Sequence, residues 1–147
     1  MYTHLLLPTD GSPLSQRAAV DGVALAARLG ARVTALFVAP APTPLVYDGM
    51  VPVAYMTPEA HAELVAKAAE RYLGQIARAA AEAGVPCHQV QVVGEYPAET
   101  IVATARKRRC DLIVMASHGR KGVQALLLGS ETAKVLAHSK IPVLVHR

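Results

Sequence analysis

What most constrains this chain is an alternation of two hydrophobic periods that runs from one end to the other. Leu5-Leu6-Leu7 is a continuous apolar run that reads as a buried strand, closed by the turn-forming stretch Pro8-Thr9-Asp10-Gly11. Ser12 then reads as a helix cap and Pro13 as a first helical residue, and Leu14, Ala18, Gly22, Leu25 and Leu29 follow at helical spacing up to Gly30. Arg32 to Val38 reads as a second strand, about Pro58 to Ala83 as a second helix, and Val85 to Val93 as a third strand at or near an edge. Pro97 opens a third helix, Leu112 to Met115 forms a fourth strand, and Ser130 caps a fourth helix reaching about His138. Ile141-Pro142-Val143-Leu144-Val145 is the last strand, an edge because its proline cannot donate to a ladder. Five strands alternating with four helices predict an α/β fold: one open parallel sheet with helices on both faces. No repeat or boundary divides the chain, so one domain over residues 1–147 is expected.

Composition removes several classes of function. The 147 residues are 52% hydrophobic and 18% charged, which excludes a disordered chain. No apolar run approaches the ~18 residues of a membrane span, and Met1-Tyr2-Thr3-His4 lacks the basic start of a signal peptide. Two cysteines, Cys87 and Cys110, are too few for a disulfide framework, and reduced thiols fit a cytoplasmic protein. Charge is uneven: residues 1–105 hold 6 basic and 9 acidic side chains, whereas residues 106–147 hold 9 basic and 2 acidic. The basic end could draw an anion, but Arg106 to Arg109 also suits a solvated helix end. Aromatics at 4%, with no Trp, argue against a nucleic-acid partner read by stacking.

In an open α/β sheet, ligands bind beyond the carboxyl ends of the strands. Two loops at that edge carry chemistry. Asp10, in a Gly/Ser turn, offers a carboxylate to a ribose hydroxyl or to a phosphate-bound Mg²⁺, and equally suits an Asx-turn that starts the first helix. In the other loop, Gly119 and Gly122 allow close backbone approach, Arg120 and Lys121 are basic, and Gly129-Ser130 opens a helix whose free N–H groups favour an anion. That describes a phosphate cradle; a long Ser-capped loop with turn glycines has the same residues. There is no P-loop pattern and no G-x-G-x-x-G after the first strand. Ser117 and His118 are adjacent, and neighbours on a loop are not expected to face each other as nucleophile and base.

Three segments together resemble the universal stress protein family over nearly the whole chain. They are Leu7-Pro8-Thr9-Asp10-Gly11-Ser12, the final Ile141-Pro142-Val143-Leu144-Val145, and a nucleotide motif that the family writes as Gly, two residues, Gly, nine residues, Gly, then Ser or Thr. Here the motif runs Ala116, Ser117-His118, Gly119, Arg120 to Leu128, Gly129-Ser130, with alanine in place of the first glycine. The resemblance implies a Rossmann-like, adenine nucleotide alpha hydrolase-like sheet in the order 3-2-1-4-5. It implies ATP, with Mg²⁺ held through the phosphates, as a regulatory ligand in a stress response, with at most slow hydrolysis. Pro8, Thr9 and Asp10 would meet the nucleoside or metal, and Val38 the adenine. Ala116, Gly119, Arg120, Gly129, Ser130 and the amide of Glu131 would line the phosphates. The Ala116 methyl is expected to weaken binding by disfavouring a positive φ. A homodimer through Val143 to Val145 is also implied. The alternative is a dimeric interaction module without nucleotide, acting through the apolar, proline-punctuated segment 39–57 toward a protein partner whose identity the sequence does not give.

Overall fold

The computed structural model describes residues 1–42, 46–48, 51–54, 56–120 and 127–147, with 46–48 and 51–54 described as backbone only. The elements run β1 (His4–Thr9), α1 (Pro13–Leu29), β2 (Arg32–Ala39), β3 (Val46–Asp48), β4 (Val51–Ala54), α2 (Pro58–Glu82), β5 (Cys87–Val93), α3 (Pro97–Lys107), β6 (Leu112–Ala116), α4 (Ser130–His138) and β7 (Val143–His146). Five strands form a parallel sheet in the order β5-β2-β1-β6-β7. Counting only those five in chain order, this is 3-2-1-4-5, as expected.

The apolar runs are continuous because both faces of the sheet are covered. Successive residues of a strand point to opposite faces, so Leu5 and Leu7 join a core under α1 and α2, with Val23, Val33, Ile76 and Val114. Leu6 joins a second core under α3 and α4, with Leu36, Ile101, Ile113 and Val135. All three leucines are fully buried, and each contributes about 1.5–3 kcal/mol. Helices α1, α2 and α3 each begin with proline, where the missing N–H costs no hydrogen bond. Gly30 closes α1 in the left-handed conformation at φ 64.

Four local expectations need correction. The segment 39–57, whose prolines at 40, 42, 44 and 52 read as irregular chain, contains strand: β2 extends to Ala39, and β3 and β4 pair antiparallel. The apolar side chains between residues 43 and 55, on which the interaction-module reading leaned, lie outside the described residues. Pro142 precedes β7 rather than interrupting it, although β7 is an edge strand as predicted. Pro8 lies within β1, not in a turn after it, and pairs with Leu36. Ser130 is the first residue of α4, and Gly129 occupies the capping position.

At the amino end of the sheet, His4 is buried, with Nε2 2.8 Å from Thr34 Oγ1 and no partner for Nδ1 among the described residues. Thr34 also meets the buried Cys110 thiol, which burial pushes up to about 11; burial likewise raises the thiol of half-buried Cys87. Asp111 fastens this end, accepting from the Thr3 and His4 amides at 2.8 and 2.9 Å. Burial, aided by the Arg32 charge, holds the His4 pKa below its ordinary 6.5. The unfolded chain therefore binds this proton more readily, and the stability is complete above that value and lost as the pH falls below it. His4→Gln is expected to flatten the decline in melting temperature between about pH 7.5 and about pH 5.5. Equal slopes for the two proteins in thermal melts across that range would rule the assignment out.

Candidate functional site

The site originates where two strands part. β1 and β6 pair only at Leu5–Leu112 and Leu6–Ile113. Beyond that, β1 continues with β2 as far as Thr9–Phe37, and β6 continues with β7 as far as Ala116–His146. Pro8, with no N–H to give, falls in the part of β1 that pairs with β2 alone. The order reverses here, with the chain after β1 leading to β2 on one side and β6 leading to β7 on the other. Such a switch point opens a crevice at the carboxyl edge.

The turn after β1 is tied inward. Asp10 Oδ1 accepts from the Ser12 amide at 2.9 Å and from the Ser15 hydroxyl at 2.8 Å. Ser12 caps α1, accepting from the Ser15 amide at 3.2 Å. The Thr9 hydroxyl accepts from the Gly11 amide at 3.0 Å, lies 2.9 Å from Ser15 Oγ and donates to Gln16 Oε1 at 3.3 Å. Gln16 in turn donates to the Tyr72 carbonyl at 3.3 Å, joining this turn to α2. Gly11 has φ 80, and a side chain there would strike the Tyr72 ring. That ring packs edge-on against Phe37, with centroids 5.3 Å apart.

The loop after β6 docks onto this turn through backbone. Asp10 Oδ2 accepts from the Arg120 amide at 2.8 Å, and a Cβ on Gly119 would collide with that same oxygen. The Arg120 guanidinium turns to α2: it donates to the Tyr72 hydroxyl and lies 5.4 Å from the ring centroid. Ser117 donates its amide to the His146 carbonyl at 2.7 Å and accepts from the Gly129 amide at 2.7 Å. A Cβ on Gly129 would sit 3.0 Å from His118 Cα and 3.2 Å from the Ser117 carbonyl oxygen, so a side chain there would press the Ser117–His118 backbone aside. Against expectation, Ser117 and His118 do face each other, with Oγ 3.1 Å from Nδ1. Ser117 is buried, however, and the other His118 nitrogen has no orienting partner among the described residues, so the pair is not an exposed nucleophile with an aligned base.

Helix α4 begins at Ser130, after Gly129, with no side-chain cap. By contrast, Ser12 caps α1, Thr57 caps α2, and the Glu131 carboxylate reaches across to the Ala98 amide of α3 at 2.9 Å. The first amides of α4 thus have no side-chain acceptor among the described residues, at the positive end of a helix. Thr132 anchors this turn by donating to the Ala116 carbonyl at 2.8 Å. Ala116 ends β6 in extended backbone, and the one non-glycine residue with positive φ among those described is Arg109, so the strain expected at Ala116 is absent.

Of the residues singled out in the sequence, the structure gathers Pro8, Thr9, Asp10, Gly119 and the Arg120 backbone at the parting. Gly129 packs against the Ser117–His118 peptide, and Ser130 and Glu131 open α4. Val38 lies apart, at the end of β2 on the α3 face beside Gly94. Lys121 and Gly122 lie outside the described residues. Ser15, Gln16, Arg17 and Tyr72 were missed; Ser15 alone had a local signal, five residues after Asp10 in a turn rich in small polar residues. Where the two loops meet the start of α1, a hollow of about 520 Å³ is walled by Gly11, Ser12, Leu14, Arg17, His118 and Arg120 among others; Asp10, Ser130 and Glu131 do not line it. Among the described residues no group of three or more His, Cys, Asp or Glu could hold a metal ion.

Burial raises the Asp10 pKa, but hydrogen bonds from Ser12, Ser15 and the Arg120 amide outweigh it and hold the carboxyl below its ordinary value. The stability it contributes is present above the ordinary carboxylate range and is lost as the pH falls through the lowered value. Asp10→Asn should cost about 1–3 kcal/mol at neutral pH, because two N–H groups and a hydroxyl lose a charged acceptor. Denaturant titration measures this; a loss under ~0.5 kcal/mol would show that the two loops hold together without the carboxylate.

A family model described as the universal stress protein family matches residues 1–147. A universal stress protein of Methanocaldococcus jannaschii is 34% identical over 145 residues, covering 99% of this chain and 82% of the relative. A universal stress protein of Thermus aquaticus is also 34% identical, with all of both chains covered. A solved universal stress protein in complex with cAMP superposes with a TM-score of 0.69 at 25% identity, covering 99% of this chain and 97% of that one.

Proposed function

The chain belongs to the universal stress protein family, and from that premise we propose that it binds an adenine nucleotide, ATP with Mg²⁺ carried on the phosphates, where β1 and β6 part. The observation that carries this reading is the hydrogen bond from the Arg120 amide to Asp10, which joins the two motif loops at the switch point. The residues present suit the ligand. Among the described residues the amides of Ser130 and Glu131 and the Ser130 hydroxyl have no acceptor, and phosphate oxygens are acceptors only. Asp10 Oδ2 accepts one donor and keeps a lone pair for a hydroxyl or metal-bound water. Val38, half-buried at the end of β2, offers an apolar contact for a base. The similar solved protein holds cAMP, an adenine nucleotide.

When bound, ATP would supply a phosphate chain and its magnesium. The chain's own residues supply donors, an anchor and exclusion of bulk by close-packed backbone. Among the described residues nothing at the parting is aligned as a general base, and the proposed role is regulatory binding with at most slow hydrolysis. The open edge of β7 suits a homodimer through Val143 to Val145, since Leu144 is 43% exposed beside backbone groups without a second strand. Two free thiols fit a cytoplasmic setting, and no described helix is long and apolar enough to cross a membrane.

Calorimetric titration of nucleotide-stripped protein with Mg-ATP is the direct test. A dissociation constant on the order of micromolar is expected, and no heat at millimolar ATP would reject the reading. Gly119→Val should abolish binding, because its side chain displaces Asp10 from the Arg120 amide. Ala116→Gly should change affinity less than about threefold, since the alanine backbone is unstrained, unless its methyl touches the ligand. A tenfold gain would show that it does.

A further inference from the structure

The uneven charge of the sequence becomes a surface at the amino edge of the sheet, opposite the parting of β1 and β6. The strand starts line up there through backbone hydrogen bonds, the amides of Val33, Arg32, Asp111 and Ile113 donating to the carbonyls of Pro86, Thr3, His4 and Pro142 in turn. The loops that enter β2, β6 and β7 are therefore neighbours. Arg28 and Arg32 flank the first, Arg106 to Arg109 approach the second, and Lys140 lies in the third. The charges of Arg32 and Arg108 both bear on the buried His4 ring and on Cys110, which puts them at one place. None of these cations forms an ion pair among the described residues. Of the acids at this edge, Asp111 is taken up by the Thr3 and His4 amides, and Glu82 ends α2 on the way to the far strand β5.

One of these cations sits where the backbone favours glycine. Helices α1, α2 and α3 end in the same turn, in which an amide reaches back five residues: Ala31 to the Ala26 carbonyl, Val85 to Ala80, and Cys110 to Ala105. The residue before each donor is left-handed, at φ 64 in Gly30, 68 in Gly84 and 56 in Arg109. Glycine takes this conformation freely, whereas a side chain crowds the following carbonyl. Two of the equivalent turns use glycine, and the third accepts that strain to hold an exposed guanidinium.

We propose that this edge docks double-stranded DNA through its phosphates. Three strand spacings, from β2 to β7, make a row of about 14 Å. A duplex carries about one negative charge per ~1.7 Å of axis, so the row faces roughly eight phosphates, or about four base pairs. That is far short of the ~16 base pairs over which duplex RNA is gripped. Guanidinium forks match phosphate oxygens. The four loops at this edge (30–31, 83–86, 108–111 and 139–142) hold no aromatic residue and no exposed large hydrophobic side chain. A single strand that stacks its bases, a membrane that takes an apolar anchor and a protein interface with an apolar centre would each lack a main contact. A duplex keeps its bases inside and is held by its backbone without reading sequence. The edge is independent of the nucleotide reading, whose residues lie at the carboxyl ends of the strands.

Fluorescence anisotropy of a labelled DNA duplex of about 24 base pairs, titrated with the full chain at several salt concentrations, is the test. Binding on the order of micromolar is expected in about 50 mM salt. Four phosphate contacts give a slope of log affinity against log salt of about −3.6, a loss of roughly 150-fold by about 200 mM. Arg109→Gly should melt no lower than the wild type, because glycine suits the turn, yet its slope should become shallower by about one. Arg106→Gln should shift the slope likewise. Lys67→Gln with Arg71→Gln removes two charges midway along α2 and should leave it unchanged. No binding at about 50 mM salt, a slope that Arg109→Gly does not alter, or one that the α2 pair lowers as much would overturn the proposal. So would tighter binding of a duplex RNA of the same length. Equal binding of polyglutamate would also overturn it, and would give the edge to an acidic protein segment instead.

Discussion

The early parting of β1 from β6 is the constraint on which the rest of the molecule depends. Only two residue pairs, Leu5–Leu112 and Leu6–Ile113, are in ladder register between these strands, yet both strands are central. A central pair that separates so soon leaves a gap that backbone pairing cannot close. Side chains and loops close it instead. The leucines that start β1 are buried on both faces, so the strand cannot shift to regain pairing without moving each leucine to the wrong core. The gap is thus as well specified as the sheet around it.

Asp10 spans that gap. One carboxylate oxygen organises its own turn and the start of α1; the other receives the loop that follows β6. The glycines around it serve different ends. Gly11 supplies a positive φ and room for the Tyr72 ring, and Gly119 supplies room for Asp10 itself. Gly129 keeps ordinary dihedrals and lets the start of α4 lie against the Ser117–His118 peptide. A motif that reads in sequence as a cradle for phosphate is, in the folded chain, first a set of close contacts that makes the loop compact.

The main sheet was legible because each strand is a short apolar run and each helix is punctuated. Proline at the start of α1, α2 and α3, with Gly30 and Gly84 near the ends of α1 and α2, placed those boundaries within a residue or two. The hairpin β3–β4 was not foreseen, although Asp48-Gly49 between two valine-containing runs is a hairpin signal; the surrounding prolines masked it. At the site, Asp10, Gly119 and Gly129-Ser130 were found from their spacing. Tyr72 and Gln16 were not, because their roles arise from α2 packing across α1, and such contacts leave no local pattern. Tyr72 lies on an apolar helical stripe and reads as core until the structure places its ring under Gly11 and its hydroxyl toward Arg120.

The buried Cys110 carries a consequence for chemistry far from the crevice. A thiol pushed up to about 11 is ionised in roughly one molecule in ten thousand at neutral pH. Peroxides and disulfides react with thiolates, and this one is also shielded by the cores around it. Cys87 is shifted in the same direction. Cys110, at the opposite edge of the sheet from the crevice, is therefore a poor target for mild oxidants.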